Sequence, residues 1–242
     1  MTQAQTMNTS RGCELLMLSL LALMFAGAAW CWSSAPEKIP VHWNLQGEVD
    51  RYGGKFEGLL LMPLITAGLY LLLKFIPAID PKKENFAQFA KAYLGIRIGL
   101  SILMAVIQLA ILATVMGYQT NMNVIVGGSV GCLFILIGNV MGKIRPNWCV
   151  GVRTPWTLSS KTSWVKTHRL SGWIFIASGI AILITGFTES KYALVVTLVT
   201  AIGGSVWLIL YSYLVWKNDT NRVSALDTSP GDEAGLNSQL DN

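Results

Sequence analysis

Six long apolar blocks dominate the chain and are separated by polar segments. Each block is about as long as the roughly 20 residues that a helix needs to cross a bilayer. The blocks are 15–32, 57–77, 94–117, 122–142, 171–188 and 192–216. The backbone of a spanning segment finds no hydrogen-bond partner in lipid, so continuous apolar runs favour helices over the alternating strands of a barrel. The predicted fold class is all-α, a polytopic membrane helical bundle with six transmembrane helices.

The first block resembles a cleavable signal peptide, because Arg11 precedes it and residues 26–28 read Ala-Gly-Ala. The apolar run continues beyond that point to Trp30 and Trp32. Tryptophans at the end of a span suit an interfacial anchor. We therefore expect a retained first helix.

The polar segments divide the chain into four regions. We expect a cytoplasmic amino terminus at 1–14, a first helix pair at 15–77 with an extracytoplasmic loop at 33–56, a four-helix region at 78–216 with a cytoplasmic loop at 143–170, and a disordered cytoplasmic tail at 217–242. Residues 78–93 predict a short interfacial helix before the third span.

Charge supports this picture and gives it an orientation. Hydrophobic residues make up 52% of the chain and charged residues 13%, whereas soluble domains carry about 25% charged residues. Of the 18 Lys and Arg residues, all but Lys38, Arg51, Lys55 and Lys191 fall in segments that are inside if both termini are inside. This is a strong positive-inside signal. It also accounts for the net charge of +5, so we expect no direct nucleic acid binding.

The sequence offers little support for catalysis. In this topology His42 and His168 lie on opposite sides of the membrane and cannot share a site, and no catalytic motif is present. No two of the four cysteines share an oxidising compartment, so no disulfide is expected. We predict a non-enzyme with no catalytic residue, no cofactor and no metal.

Few polar residues fall inside the blocks. Lys74 and Arg97 lie near inner helix ends and are expected to snorkel. Gln108 and Asn139 are expected to bond neighbouring helices, and Asn139, flanked by Gly138, is the better functional candidate of the two.

Small residues mark the predicted helix seams. Gly172, Gly179 and Gly186 recur every seven residues, and three further pairs are four residues apart: Gly95 and Gly99, Gly127 and Gly131, Gly138 and Gly142. Such spacing lets helix backbones approach closely. For all of these glycines we expect packing roles.

The outer loop gathers polar groups around a predicted type I turn from Asn44 to Gly47. Three interpretations stay open: a recognition surface for a peptide or ligand, a folded lid whose aromatic residues lie at the headgroup level, and, as a weak alternative, a metal site of His42, Glu48 and Asp50. The candidate ligand-facing residues are Pro40, His42, Trp43, Asn44, Gly47, Asp50 and Lys55.

The inner loop, residues 143–170, has six basic residues and no acidic one. Pro146 and Pro155 are expected to stop helices, and Ser159 or Ser160 to cap a new one. Basic residues and tryptophans suit lipid anchoring, but this composition also suits a docking surface for a cytoplasmic protein or a gate under the bundle. The candidate partner-binding or gating residues are Asn139, Arg145, Pro146, Asn147, Arg153, Thr154, Pro155, Trp156, Trp164, His168 and Arg169.

Both loops resemble known family patterns. The outer stretch from Pro40-Val41-His42-Trp43-Asn44 through Gly47, Asp50 and Lys55 resembles a domain of unknown function found in bacterial membrane proteins. The inner stretch resembles the SdpI family signature at Gly138-Asn139, Arg145-Pro146-Asn147, the run from Gly151 to Leu158, and Trp164 through Thr167-His168-Arg169-Leu170-Ser171-Gly172.

The resemblance implies a sensor and immunity protein of the bacterial cytoplasmic (inner) membrane. The best-known family member protects its cell from a secreted toxic peptide and sequesters a cytoplasmic transcriptional repressor. The outer loop would then face the peptide and the inner loop the repressor. The alternatives are a small-solute or ion transporter built on Asn139 and, as the weakest hypothesis, a membrane enzyme using His168 and Arg169. The oligomeric state stays open.

Overall fold

The computed structural model describes residues 3–44, 47–188, 192–220 and 224–225. Within them lie seven α-helices: α1 Gln3–Cys31, α2 Leu61–Ile79, α3 Lys83–Val115, α4 Met122–Met141, α5 Pro155–Ser159, α6 Lys161–Phe187 and α7 Ala193–Lys217. Six helical segments are long and apolar enough to cross a membrane. They are Arg11–Cys31, Phe56–Ile79, Lys83–Val115, Met122–Met141, Lys161–Phe187 and Val195–Lys217. The predicted bundle of six membrane helices is confirmed.

Three local predictions differ from the structure. Helix α1 begins at Gln3 instead of residue 15, and the expected interfacial helix is the first part of α3. The backbone at Phe89 (φ −120°, ψ 22°) kinks α3 where its aromatic residues turn into the inner core. Pro155 does not stop a helix but begins α5 directly after the Thr154 cap, because proline is well tolerated in the first turn.

Two other predictions concern the cap of α6 and the tail. Ser160 caps α6 by accepting a hydrogen bond from the Ser163 N–H at 3.0 Å, as expected for one of the two candidate serines. The predicted disordered tail begins where α7 ends, at Lys217. Most of that tail lies outside the described residues.

The outer loop contains a β-hairpin that the sequence did not reveal. Strand β1 (Ile39–Trp43) pairs antiparallel with β2 (Val49–Gly53), and a π-helical segment, Phe56–Leu60, leads into α2. Ile39 is fully buried and packs into one core cluster with Leu59 and Leu112. The hairpin is therefore fixed to the outer ends of the first three spans.

Glycines hold α4 and α6 together. A Cβ atom at Gly138 would lie 2.7 Å from the carbonyl oxygen of Gly172, and one at Gly179 would lie 2.6 Å from that of Gly131. The predicted packing role is confirmed at this seam, where only glycine allows the backbones to approach so closely. It is wrong for Gly95, where a Cβ would meet no described atom within 4 Å.

The helices form two groups. Helices α1, α2 and α3 pack on one another, whereas α6 packs on α4 and α7. Direct contact between the groups is largely that of α3 with α4. The inner loop joins α4 to α6, so it begins and ends in the second group.

Candidate functional site

Asn147 organises the inner loop. Its side chain is fully buried, and its Nδ2 donates to the carbonyl oxygens of Arg145 (2.8 Å) and Val150 (3.0 Å). Its Oδ1 accepts from the N–H groups of Cys149 (2.9 Å) and Val150 (2.6 Å). One amide thus satisfies four backbone groups and closes a tight turn, which an apolar residue of similar size cannot do.

The turn is attached to the beginning of α3. Asn85 Nδ2 donates to the Pro146 carbonyl at 2.7 Å, and the buried Asp80 carboxylate accepts from the Trp148 N–H at 2.9 Å. Burial, together with a hydrogen bond to Asp80, raises the pKa of the Cys149 thiol. The inner loop is therefore anchored to the first helix group although it begins and ends in the second.

His168 is a structural residue within the loop's core. Its Nε2 accepts from the Val152 N–H at 3.1 Å, and its Nδ1 lies 2.8 Å from the Trp164 carbonyl oxygen. A backbone N–H can only donate and a carbonyl can only accept, so the ring is neutral with its proton on Nδ1. The ring stacks on Trp164 at a centroid distance of 4.1 Å. Both ring nitrogens are engaged, which leaves neither for a substrate.

A network of hydroxyl groups joins the loop to α7. Thr154 caps α5 in a capping box with Thr157, and its Oγ1 lies 3.0 Å from Ser212 Oγ. Ser163 Oγ donates to the Ser212 carbonyl at 2.8 Å. Beyond α7, Ser160 Oγ donates to Asp219 at 2.6 Å. Hydrogen bonds therefore tie the loop to helices of both groups.

The eleven inner candidates do not form one surface. Five are buried in the loop's support: Pro146, Asn147, Thr154, Trp164 and His168. Arg153, Pro155 and Arg169 are exposed, while Arg145 and Trp156 are half-buried. The Arg153 guanidinium donates to the Trp148 carbonyl at 2.6 Å, and Trp156 packs against Tyr213 at 5.2 Å. The accessible face of the inner loop is basic and aromatic.

Asn139 lies apart from this face. It is exposed, and its Nδ2 donates to the Ile135 carbonyl of its own helix at 3.0 Å. The expected bond to a neighbouring helix is wrong for Asn139. It is confirmed for Gln108, whose Nε2 donates to the Leu59 carbonyl at 3.2 Å.

The outer candidates come together in the hairpin. His42 Nδ1 lies 2.6 Å from Asp50 Oδ1 across the two strands. At the turn, the Gly47 N–H donates to the Asn44 carbonyl at 3.0 Å, the bond expected of the predicted turn. Glu48 pairs with Asn44 instead of joining His42 and Asp50. Within the part of the chain that the structure describes, no three His, Cys, Asp or Glu side chains are grouped to hold a metal ion.

The remaining outer candidates fix the position of the hairpin. Lys55 Nζ donates to the Trp32 carbonyl at 3.3 Å, and Pro40 pairs with Tyr52 in the sheet register. Trp43 is half-buried and packs with α3 and α4 against a cluster of Ala110, Ile111 and Met122.

A partly buried ion pair joins the first three spans and was missed in the sequence. Arg97 Nη1 donates to Glu14 Oε1 at 2.6 Å, and Tyr70 donates to the other Glu14 oxygen at 2.7 Å. Arg97 is 8% exposed, so the expectation that it snorkels is wrong. Lys74 remains exposed, 3.4 Å from the Tyr70 hydroxyl. Glu14, Tyr70 and Arg97 lie at one level of the bundle, within α1, α2 and α3, and that shared depth was the available signal.

Two family models match segments of this chain, one containing the outer loop and one the inner loop. The model of a domain of unknown function (DUF1648) matches residues 19–67, which include α1 from Ser19 and the hairpin. The SdpI/YfhL protein family model matches residues 143–214, from the inner loop into α7. The resemblance to the SdpI family is confirmed. The SdpI/YfhL region thus contains the Asn147 turn, the His168 core and the hydroxyl network.

One curated relative extends the similarity over most of the chain. The immunity protein SdpI of Bacillus subtilis (strain 168) is 26% identical over 210 residues, which cover 84% of this chain and 96% of that protein. No solved structure matches the chain. The similarity covers 84% of this chain, well beyond the 72 residues that the SdpI/YfhL model matches.

Proposed function

We propose that this protein is an integral membrane immunity and sensor protein of a bacterial cytoplasmic membrane. The hairpin recognises a toxic peptide outside, and the inner loop binds a cytoplasmic transcriptional repressor. The similarity to an immunity protein along 96% of its length supports this role. The excess of basic residues in the inner segments supports an orientation with both termini inside.

The observation that carries the proposal is that both loops rest on α3. Trp43 packs against the outer half of this helix, near Ala110 and Ile111. The inner turn hydrogen-bonds to Asn85 in its first turn. With 33 residues, α3 has a length along its axis of about 50 Å at about 1.5 Å per residue, and the kink at Phe89 lies between the two contacts. A tilt or rotation of α3 on peptide binding would reach the inner loop through direct contacts.

The inner face suits an acidic partner. Arg153, Arg169 and Trp156 are accessible at least in part, and residues 143–170 include no carboxylate. Arginine and tryptophan are the residue types most often found at the energetic centre of protein interfaces. We assign partner binding to these three side chains and a supporting role to the buried candidates.

Protection and signalling are testable in a Bacillus subtilis strain that lacks its own SdpI and carries a promoter reporter for the repressor. We expect this chain to restore growth in the presence of the toxin that SdpI counters, and to switch on the reporter. Asp50→Ala, which removes the partner of His42, should reduce both. Lys38→Ala, an exposed charge outside the strands, is the matched control.

A separate variant tests partner binding at the inner face. Arg169→Glu should abolish the reporter response but leave protection intact, because the substitution lies on the opposite side from the peptide. Membrane levels are measured by immunoblot for each variant. A native chain that reaches the membrane at the level of SdpI yet gives neither protection nor reporter activity would overturn the proposal.

A further inference from the structure

A groove lies between α3 and α4, where the two helix groups meet. Its volume is about 570 Å³, within the range of roughly 300–1,000 Å³ that is typical of ligand pockets. From Val124 to Leu136 it follows α4 for about 18 Å at the helical rise. Ser129 is the most polar residue of the lining, and its hydroxyl bonds the Ile125 carbonyl at 2.6 Å. The groove is therefore apolar along its length.

Gly128 leaves room in the groove, because a Cβ there would make only ordinary contact, 3.8 Å from Phe187. Gly99 forms part of the α3 wall and lets α3 approach α4 closely, because a Cβ there would lie 3.1 Å from Leu133 and Leu136. Cys132 is exposed within it. Glycines on the wall of an intramembrane groove allow the backbone of an incoming helix to approach closely.

The hairpin lies at the outer end of this groove. Trp43 packs into the same cluster as Ile125, which lines the groove. A Cβ at Gly47 would lie 3.1 Å from the side-chain nitrogen of Asn123, the residue before Val124 of the groove wall. A polar hairpin and an apolar groove are thus continuous, an arrangement that suits one ligand with a polar end and an apolar segment.

We propose that the groove receives an apolar helical segment of the extracytoplasmic peptide whose polar end the hairpin recognises; the inference rests on the function proposed above. Any peptide segment that enters the hydrocarbon region must satisfy its own backbone, so it enters as a helix. One face of that helix, with residues spaced three and four apart, lies along the α3–α4 groove.

The position of the groove explains how binding is transmitted. A helix seated there contacts α3 and α4 together. The inner loop continues from the end of α4 and hydrogen-bonds to Asn85 at the start of α3. Separating the two helices in the membrane therefore changes the geometry of the two attachments that hold the inner loop.

The test uses the toxin that the Bacillus subtilis immunity protein counters, synthesised with a photoreactive leucine in its apolar segment. The full chain in phospholipid vesicles is irradiated with the peptide, and cross-links are mapped by mass spectrometry. We expect cross-links to groove residues such as Val106 and Cys132. Gly128→Leu fills the groove and should lower cross-linking and protection roughly tenfold. The control is Gly203→Leu on α7, where a Cβ meets no described atom within 4 Å.

The possible outcomes distinguish failure of the groove inference from failure of the proposed immunity function. Cross-links confined to the hairpin, with full protection by Gly128→Leu, would assign the groove to lipid acyl chains and overturn this inference alone. Cross-linking of two copies of the chain through the groove would assign it to a dimer and likewise overturn it. Thermal unfolding in detergent checks that Gly128→Leu folds, and Cys132→Phe, at an exposed residue of the groove wall, provides a second way to fill the groove. A native chain that gives no protection refutes the proposed function itself.

Discussion

Replacing Asn147 with alanine should open the inner loop while leaving the spans folded. The side chain is fully buried and makes four hydrogen bonds, all with backbone groups of residues 145–150. Alanine removes both sets of partners and leaves a small cavity that water must enter. The loop remains attached to Asp80, directly after α2, and to Asn85 in α3, so the damage should be local.

The magnitude follows from the four bonds. Each contributes about 1 kcal/mol net, and stranded buried backbone groups add to the loss, so local opening should become easier by roughly 3–5 kcal/mol. A factor of ten corresponds to about 1.4 kcal/mol. The amide hydrogens of Cys149 and Val150, which donate to Asn147, should therefore exchange roughly 10²–10⁴-fold faster with solvent.

Hydrogen exchange of the protein in nanodiscs, followed by mass spectrometry, measures this directly. Peptides covering residues 145–152 should lose protection, whereas peptides from the α4–α6 seam should not change. Asn218→Ala, which replaces an exposed asparagine at the end of α7, is the matched control. Unchanged exchange at Cys149 in Asn147→Ala would show that the turn does not depend on this side chain.

Three further predictions test other parts of the structure. Gly151→Ala should lower the free energy of unfolding by about 2 kcal/mol or more, because Gly151 has φ +107° and a Cβ would collide with the His168 ring; thermal unfolding that matches the native chain would contradict this. Glu14→Gln and Arg97→Gln should each lower the free energy of unfolding, and in a double-mutant cycle their effects should couple by about 1 kcal/mol or more. If the two losses are additive, the side chains do not interact directly. Because the pKa of Cys149 is raised, the contribution of its protonated thiol to loop stability should be complete below pH 9.0 and be lost as the pH rises through the folded-state pKa. The free energy of loop opening is obtained from exchange rates corrected for the intrinsic pH dependence of amide exchange; if it stays constant across this range, the prediction is refuted.

Asn139 and Asn147 show that the type of a side chain does not determine its hydrogen-bond partners. Asn139 lies in a span and was a functional candidate because it is polar, yet its side chain donates a hydrogen bond to the Ile135 carbonyl of its own helix. Asn147 lies in a loop of ordinary polarity and holds four backbone groups. Hydrogen-bonding capacity was evident for both, but its use depends on which backbone atoms the fold brings within 3 Å.

Depth in the membrane could be inferred from the sequence, but side-chain orientation could not. Glu14 and Arg97 lie 83 positions apart and end at the same level because the spans alternate in direction. Whether they meet depends on the packing of α1 against α3, which the apolar blocks do not specify. The same holds for Trp164 and His168, whose spacing predicts a shared helix face but not that this face is buried beneath the loop.

The sequence by itself determined the number of spans, their helical character and the identity of the two informative loops, because a bilayer imposes segment length and backbone satisfaction on any chain that crosses it. It also determined the glycine seam, whose seven-residue repeat survives in the α4–α6 contact. Only the tertiary structure decided which residues of the inner loop are buried and hold the loop together, and which are exposed. It also decided that the hairpin and the inner turn both rest on α3, since long-range packing between segments far apart in the chain leaves no local pattern.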